Sequence, residues 1–487
     1  MSYAATRKQY SERGRDYLCA GLRLLWRRFP SNLEMLTQLR IALKAYREHA
    51  RNEKLTRAQL EELKLRKFRV LVRHANERSP YYARLIAELG IDIDACTPKD
   101  FPVLTKKLLM QNFDQLITDR AITRQKIAEF LTRSTDPTEL LDGRYHVLHT
   151  SGTSGEVGYF LYSQHDWYRG IGQGLRRRSD RPRLRRRRRF GRIRGAFYGA
   201  VGGHFAGVSM ASSANVGFTR LFIKVGLYEV NNPLPVIIQQ LNEFQPDFIS
   251  GYTTAMKILA AKQREGLLRI APLALSTGGE SMSMTDKAIL EEAFGCEAIS
   301  GYGCTEHLMM GASAPGGRTM ILYDDDLIFE FMEDHSLITN LYNYTMPLIR
   351  YRMSDILRPV ANSQLKSPYL EIDSLVGRNE LVPTFVNRDG VQDFISPHTI
   401  NEIFVAGVIQ FQMHLVDDTH FRFMVCLDSA LTAAQRTTAL EALSRRLREI
   451  LDQKLMNNVQ YEIVVTDQIP LNPSTRKFQL IVDSSTQ

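Results

Sequence analysis

Leu18, Leu22 and Leu25, with Trp26, recur at helical spacing among arginines near the start of the chain, and residues 57–76 repeat a helical texture rich in Leu, Glu, Lys and Arg. Two amphipathic helices are predicted there, followed by a break at Ser79-Pro80 and a short helix over residues 82–88. The basic, apolar character of the first helix permits contact with a membrane surface; the competing expectation is a helix packed on the protein's own body. From about residue 145 the period changes. Strand-like runs at 145–149, 196–198, 248–250, 273–275 and 298–300 are separated in several places by helical stretches, at 235–244, 255–264 and 284–294. Strand–helix alternation over this length predicts an α/β fold with a mostly parallel sheet. After about residue 320 the strands crowd together, at 328–333 and 336–339, which predicts an antiparallel section. The final hundred residues read as a small, separate α+β unit: strands at 411–415, 421–426 and 459–465, and a long helix at 433–455. The expected organisation is an N-terminal helical segment (1–90), a large core (91–377) and a small, mobile C-terminal domain (378–487).

Composition narrows the class. A chain of 487 residues, 44% hydrophobic and 24% charged, can bury a large core, which excludes a wholly disordered or collagen-like protein. No run approaches the roughly 18–20 uncharged apolar residues that cross a bilayer, and the start lacks a signal-peptide pattern, so a cytoplasmic protein is expected. The net charge of +10 is local. Residues 176–194 hold twelve arginines and one aspartate, leaving 51 basic and 52 acidic residues elsewhere out of the chain's 63 and 53. A general nucleic-acid face is therefore not expected. The tract, with only Asp180 to pair with, is expected to be an exposed loop. Cys19, Cys96, Cys296, Cys304 and Cys426 are scattered without zinc or disulfide spacing.

Five segments carry candidate chemistry. HTSGTSGEVG (149–158) ends a strand in a hydroxyl- and glycine-rich loop that suits a polyphosphate, without the lysine of a P-loop. SGYGCTEH (300–307) offers an aromatic ring for a base, a hydroxyl for a phosphate oxygen and a carboxylate for Mg²⁺. His307 in that segment reads as structural rather than as a base. MPLIRYRMSD (346–355) ends in a carboxylate able to accept from a ribose diol. VGRN (376–379) lies at the expected domain boundary, and PLNPSTRK (470–477) is a loop near the C-terminus.

In this order and spacing, TSGTSG, YGCTE, YRMSD, VGR and a late lysine resemble the acyl-adenylate-forming (AMP-binding) superfamily. LVRHANERSPYYARLIAELGID (71–92), DFPVLTKKLLMQN (100–112), QPDFISGYTTAMKILA (245–260) and STGGES (276–281) place the resemblance in its phenylacetate–CoA ligase-like branch, over roughly residue 66 to the end. The resemblance implies a carboxylic acid, aryl or medium acyl, activated with ATP to acyl-AMP and passed to a thiol, coenzyme A first. It implies that Thr150, Ser151, Gly152, Thr153, Ser154 and Gly155 hold phosphates, and that Gly278, Gly279, Glu280 and Tyr302 frame the adenine. Thr305 and Glu306 would serve phosphate and Mg²⁺, Asp355 and Arg378 the ribose, and Lys477 the reacting α-phosphate and carboxylate. The acid pocket is expected near 196–207 and 301–306, with Tyr198, His204 and Gly301 as candidates. The chain departs from the family pattern at Glu156-Val157-Gly158, at Asn379-Glu380, and at Arg476, where a glycine usually precedes the lysine. Two other readings stay open: transfer to an acyl carrier protein thiol or an amine, and an inactive relative binding a polyanion through the arginine tract. A homodimer is compatible with the sequence, and no nucleic-acid partner is expected.

Overall fold

The computed structural model describes residues 32–150, 157–174, 176, 191–314, 316–361, 363, 365–373, 381–401, 403, 405–470 and 479–484. The predicted helix around residues 18–26 lies outside them. The first described helix is α1 (Asn32–Asn52). Thr56 accepts from the Gln59 amide in a reciprocal capping box that starts α2 (Arg57–Arg78). Ser79 closes α2 and caps α3 (Pro80–Leu89), with Pro80 in the first turn and Gly90, at φ 62°, ending it in the left-handed region. On α2, Phe68, Leu71, Val72 and Ala75 fall on one face and enter the main core beside Phe101, Leu148, Phe160 and Tyr351. The N-terminal helices therefore build the large core rather than decorate it.

Three short helices follow, α4 (Lys106–Gln111), α5 (Phe113–Leu116) and α6 (Arg124–Arg133), then an antiparallel hairpin of β1 (Tyr145–His149) and β2 (Tyr159–Ser163), and α7 (Gln164–Gln173). The main sheet is built from β3 (Ile193–Gly199), β4 (Ile223–Glu229), β5 (Phe248–Gly251), β6 (Ala274–Thr277), β7 (Ala298–Cys304), β8 (Leu308–Ser313) and β9 (Thr319–Leu322). Between them run α8 (Ala206–Ser212), α9 (Leu234–Phe244), α10 (Thr253–Arg264) and α11 (Met284–Phe294). A separate three-stranded antiparallel sheet holds β10 (Leu327–Phe331), β11 (Ser336–Asn340) and β12 (Tyr351–Met353), and β13 (Glu371–Asp373) returns to the main sheet. The eight-strand order is β13-β9-β8-β7-β6-β5-β3-β4. Strands β3 to β7 pair in parallel, whereas β7–β8, β8–β9 and β9–β13 are antiparallel. The antiparallel section thus begins at residue 301, earlier than expected from the sequence. Alternation along β3 splits its side chains between two clusters. Ala196 and Tyr198 pack with α9, α10 and α11, and Phe197 packs with Val208 and Val225 on the other side.

The last part of the chain contains a hairpin, β14 (Thr384–Val386) with β15 (Gln392–Phe394), and α12 (Pro397–Asn401). Next come β16 (Val408–Leu415), β17 (His420–Leu427), α13 (Ala433–Gln453), β18 (Gln460–Val465) and β19 (Ile481–Asp483). The order β18-β17-β16-β19 makes a four-stranded sheet covered by Ala439, Leu443, Leu447 and Ile450 of α13. The helix stops before residue 455 because Leu455 takes φ 59°, which a continuing helix forbids. Just past its end, Lys454 is fully buried. Its ammonium donates to the Asn232 carbonyl at 3.0 Å and to Asp393 at 3.2 Å, and lies 4.5 Å from the Phe394 ring centre. Asp393 also accepts from the Leu234 amide at 2.8 Å, so one carboxylate joins the end of α13 to the start of α9.

A tighter electrostatic cluster lies in the turn Asp324-Asp325-Asp326, between β9 and β10, where all three carboxylates are fully buried. Asp324 meets Arg57 (2.5 Å) and Lys64 (3.4 Å) of α2, and Asp326 meets Lys67 of α2 (2.8 Å) and Arg169 of α7 (2.7 Å). Asp325 accepts from Asn52 at 2.8 Å, lies 2.9 Å from His49 Nδ1, and pairs with Arg176. Burial alone raises a carboxyl, but the Arg176 guanidinium and its neighbours hold Asp325 well below the usual range. His49, Asp325 and Asp326 offer atoms within 4.8 Å of one another, a spacing that suits a metal. With five cations already paired to three carboxylates, a further cation is disfavoured there. Arg176 corrects the expectation for the arginine tract. Its first member is buried, stacked 4.7 Å from the Tyr323 ring centre, and its carboxylate partner comes from 149 residues away rather than from within the tract. Residues 177–190 lie outside the described residues.

Removing one partner of such a cluster strands a buried charge. Asp325→Ala should lower unfolding stability by about 3–5 kcal/mol, and Asp94→Ala, which breaks the exposed pair with Arg73, by under about 1 kcal/mol. Urea unfolding midpoints measured side by side check this; equal losses would mean that the turn is no anchor.

Candidate active site

The β1–β2 hairpin and the ends of β6 and β7 bring most of the described candidate residues into one region. Thr150, just past β1, is fixed from both sides. Its amide donates to the Gly158 carbonyl and the Gly158 amide donates to its hydroxyl, both at 2.9 Å. This clasp closes the base of the loop that carries Ser151, Gly152, Thr153, Ser154 and Gly155, which themselves lie outside the described residues. Position 158 has to be glycine. A Cβ there would sit 2.8 Å from the Phe160 ring and 3.0 Å from Lys106 Cε.

Lys106 is the residue that sequence reasoning passed over. It opens α4, where Thr105 caps the helix, and its ammonium donates to Thr150 Oγ1 at 3.0 Å. The segment PVLTKK contained the signal, a capping threonine followed by lysines, but nothing in it told which lysine turns toward the loop.

Glu306 follows β7. Burial is the main force raising its carboxyl above the ordinary 4.5; the negative charge of Asp355 adds to this, and its own backbone amide, Cys304 and Lys106 oppose it. Tyr302, on β7, donates to Asp355 at 2.8 Å, and burial and that carboxylate together push its phenol well up. Burial, then Glu306 and Asp355, raise the Cys304 thiol far above its ordinary value, so it is no nucleophile. Thr305 is held by its backbone, whose carbonyl accepts from the Tyr162 hydroxyl at 2.8 Å. Two carboxylates and one ammonium thus stand together, with the negative charge incompletely balanced. That donor set fits a divalent cation such as Mg²⁺, which would favour the charged form of Glu306 against the burial that raises its carboxyl.

Gly278, just past β6, lies beside Gly301 in the middle of β7, and a Cβ on Gly278 would approach the Gly301 carbonyl to 3.8 Å. Gly279 takes φ 77°, facing the Tyr252 ring. Glu280 is already engaged: its carboxylate accepts from the Thr254 amide (2.7 Å) and hydroxyl (2.9 Å), capping the start of α10. What this turn offers a base is the Gly278-Gly279 backbone. His307 is fully buried against Tyr351, and burial pushes its imidazole down to about 3, so it stays neutral, in keeping with a structural histidine.

The acid-pocket candidates separate. Tyr198 is completely buried in the cluster with α9 and α10, on the opposite side of β3 from Phe197. His204 is buried 3.1 Å from the Ser134 hydroxyl, and burial followed by His149 pushes its ring down to about 4. Its carbonyl accepts from the His149 amide, so it braces the strand that leads into Thr150. Only Gly301 stays beside Tyr302. Arg378 and Lys477 lie outside the described residues.

Because folding makes the Glu306 carboxyl a weaker acid, its ionisation costs stability, and this cost grows as pH rises from the ordinary carboxyl value of 4.5. Glu306→Gln should therefore raise the thermal midpoint of the ligand-free protein at neutral pH, and the gain should vanish near pH 4. A lower midpoint at neutral pH would mean that the carboxylate stabilises the fold.

No protein-family model matches the chain. It is 23% identical over 376 residues to Protein CapK of Staphylococcus aureus, covering 72% of this chain and 76% of that one. It is 25% identical over 345 residues to the phenylacetate-coenzyme A ligase of Aromatoleum evansii, covering 64% and 70%. Among solved structures, 2-hydroxyisobutyryl-CoA ligase with 2-HIB-AMP and CoA in the thioesterification state superposes with a TM-score of 0.56 at 18% identity, over 89% of this chain and 91% of that one. The same ligase with R3-HIB-AMP in the postadenylation state gives 0.52 at 18% identity, over 89% and 92%. The chain has the fold of the adenylate-forming acyl-CoA ligases, and in sequence it is similar to the phenylacetate–CoA ligases and to CapK.

Proposed function

We propose that the protein is an ATP-dependent, AMP-forming ligase that activates an aryl or medium-chain carboxylic acid and passes the acyl group to the thiol of coenzyme A. The observation that carries this reading is the convergence of Thr150 with Lys106, and of Tyr302 with Asp355 beside Glu306, at the ends of the hairpin and of β7. In the first step a carboxylate oxygen attacks the α-phosphorus of ATP and pyrophosphate leaves. In the second the thiol sulfur attacks the acyl carbon and AMP leaves. Neither step needs a protein nucleophile, which agrees with a Cys304 thiol raised far above its ordinary value and a neutral His307. Both steps need positioning and charge neutralisation.

Thr150 and Lys106 would meet the phosphate chain, with Ser151–Gly155 supplying further donors. The Gly278-Gly279 backbone and the Tyr302 ring would flank adenine. Asp355, held by the Tyr302 hydroxyl, and Arg378 would take the ribose hydroxyls, and Lys477 would approach the α-phosphate and the carboxylate. Mg²⁺ bound at Glu306 would neutralise phosphate charge. Phe205, only partly buried and with its ring 4.4 Å from that of His149 beside Thr150, offers apolar surface suited to an aryl or alkyl acid. This reading replaces Tyr198 as the residue that touches the acid.

A panel of aryl and medium-chain acids, assayed for pyrophosphate release and for the CoA thioester, tests the proposal; release that no acid stimulates would overturn it. Two variants should then part. Lys477→Ala should cut the rate of adenylation by about 10²–10³-fold with ATP binding retained. Asp355→Ala should raise the KM for ATP with a smaller effect on kcat, because a ribose contact is made before and during the transition state. Equal kinetic signatures would remove the distinction between the two roles.

A further inference from the structure

We propose that the outward face of α1 is a docking surface for an anionic membrane, a role independent of the catalytic reading. Leu36, Arg40, Leu43, Lys44, Arg47 and Arg51 are all exposed and recur at helical spacing, forming one stripe. From Arg40 to Arg51 the helix advances about 16 Å. Leu36 and Leu43 are 57% and 42% exposed, unusual for leucines on a helix that has a buried face of its own. Glu48, in the same groove as the stripe's cations, is paired with Arg169 at 2.8 Å, so the four exposed cations leave the stripe with a net positive charge. Arg40, Leu43, Lys44, Arg47, Glu48 and Arg51 line a groove of about 240 Å³ along the helix.

The opposite face is anchored. Gln38, Ala42, Ala45, His49 and Asn52 are buried, with His49 and Asn52 bonded to Asp325 and Ala45 against α7. The stripe is thus presented on a fixed helix. Arg176, first of the arginine tract, lies 2.7 Å from His49 on this buried face, near the C-terminal end of α1. Directly ahead of α1 the sequence reads RLLWRR (23–28), again leucines and an aromatic among cations.

Charge alone would suit any polyanion. The interleaved leucines favour a membrane, because cations paired with lipid phosphates let neighbouring apolar side chains enter the headgroup boundary. Recognition of a single-stranded nucleic acid would want aromatic rings for base stacking, and the exposed residues of α1 include none.

The test is co-sedimentation of the full chain with vesicles of phosphatidylglycerol in phosphatidylcholine, against vesicles of phosphatidylcholine alone and against retention on heparin. Two variants are compared, each also in a chain whose arginines at 177, 178, 181, 183 and 185–189 are serine, so that the tract does not carry the binding. Arg40→Ser with Lys44→Ser, Arg47→Ser and Arg51→Ser should weaken vesicle binding on the order of a hundredfold. Leu36→Ser with Leu43→Ser should weaken it roughly tenfold while leaving heparin retention unchanged. All these side chains are exposed, so thermal midpoints should match the wild type, which confirms folding. The proposal is overturned if the wild type ignores anionic vesicles, or if the four-cation variant binds them as well as the wild type. It is also overturned if the leucine variant keeps full vesicle binding, which would mark the stripe as a site for a dissolved polyanion.

Discussion

Three adjacent aspartates in one buried turn set the arrangement of the large domain. Three carboxylates cannot lie side by side without water unless cations reach them, and these cations come from α2, α7 and Arg176. Satisfying Asp324, Asp325 and Asp326 therefore fixes where the N-terminal helices sit relative to the main sheet and to β10. Leu341 donates its amide to the Asp326 carbonyl at 3.0 Å and Leu370 donates to Asp324 at 3.1 Å, so the segments after β11 and before β13 share the same anchor. A smaller version operates in the C-terminal part, where buried Lys454 and Asp393 join α13 to the start of α9.

The candidate site inherits its order from these constraints. Helix α2 packs into the core that supports the β1–β2 hairpin, and the hairpin delivers Thr150 to Lys106. Parallel pairing of β6 with β7 sets Gly278 beside Gly301, and the Tyr302 hydroxyl then holds Asp355 across from the strand end. The negative charge of Glu306, whose carboxyl burial raises, costs stability. A divalent cation would offset that cost, a common exchange of stability for function at a site.

The elements most legible in the sequence were those whose signals are local. Helical texture marked α2 and α11, the Ser79-Pro80 break set off α3, and short apolar runs marked β3, β5, β6 and β7. What depended on distant partners was not legible. The Asp324–Asp326 turn looks like a solvated loop until Arg57, Lys64, Lys67 and Arg169 are folded onto it. Arg176 looks like one more exposed arginine until Asp325 meets it. Strand β8, LMMGAS, has neither alternation nor β-branched residues, and only pairing with β7 and β9 makes it a strand. In the site, Thr150, Tyr302, Glu306 and Asp355 were legible as candidates, because residue type and order single them out, and the fold brings Tyr302 onto Asp355. Lys106 and the engagement of Glu280 with α10 were not, because both are contacts between segments far apart in sequence. The full burial of Tyr198 was not legible either, because it depends on α9 and α10 packing over that face of β3.

The central claim is that the site forms an acyl-adenylate before any thiol takes part. Exchange of labelled pyrophosphate into ATP, measured without coenzyme A, tests this most directly. The account predicts exchange that requires both Mg²⁺ and a carboxylic acid, with AMP released only once the thiol is added. Exchange that needs coenzyme A, or conversion of ATP to ADP and phosphate in place of exchange, would contradict it.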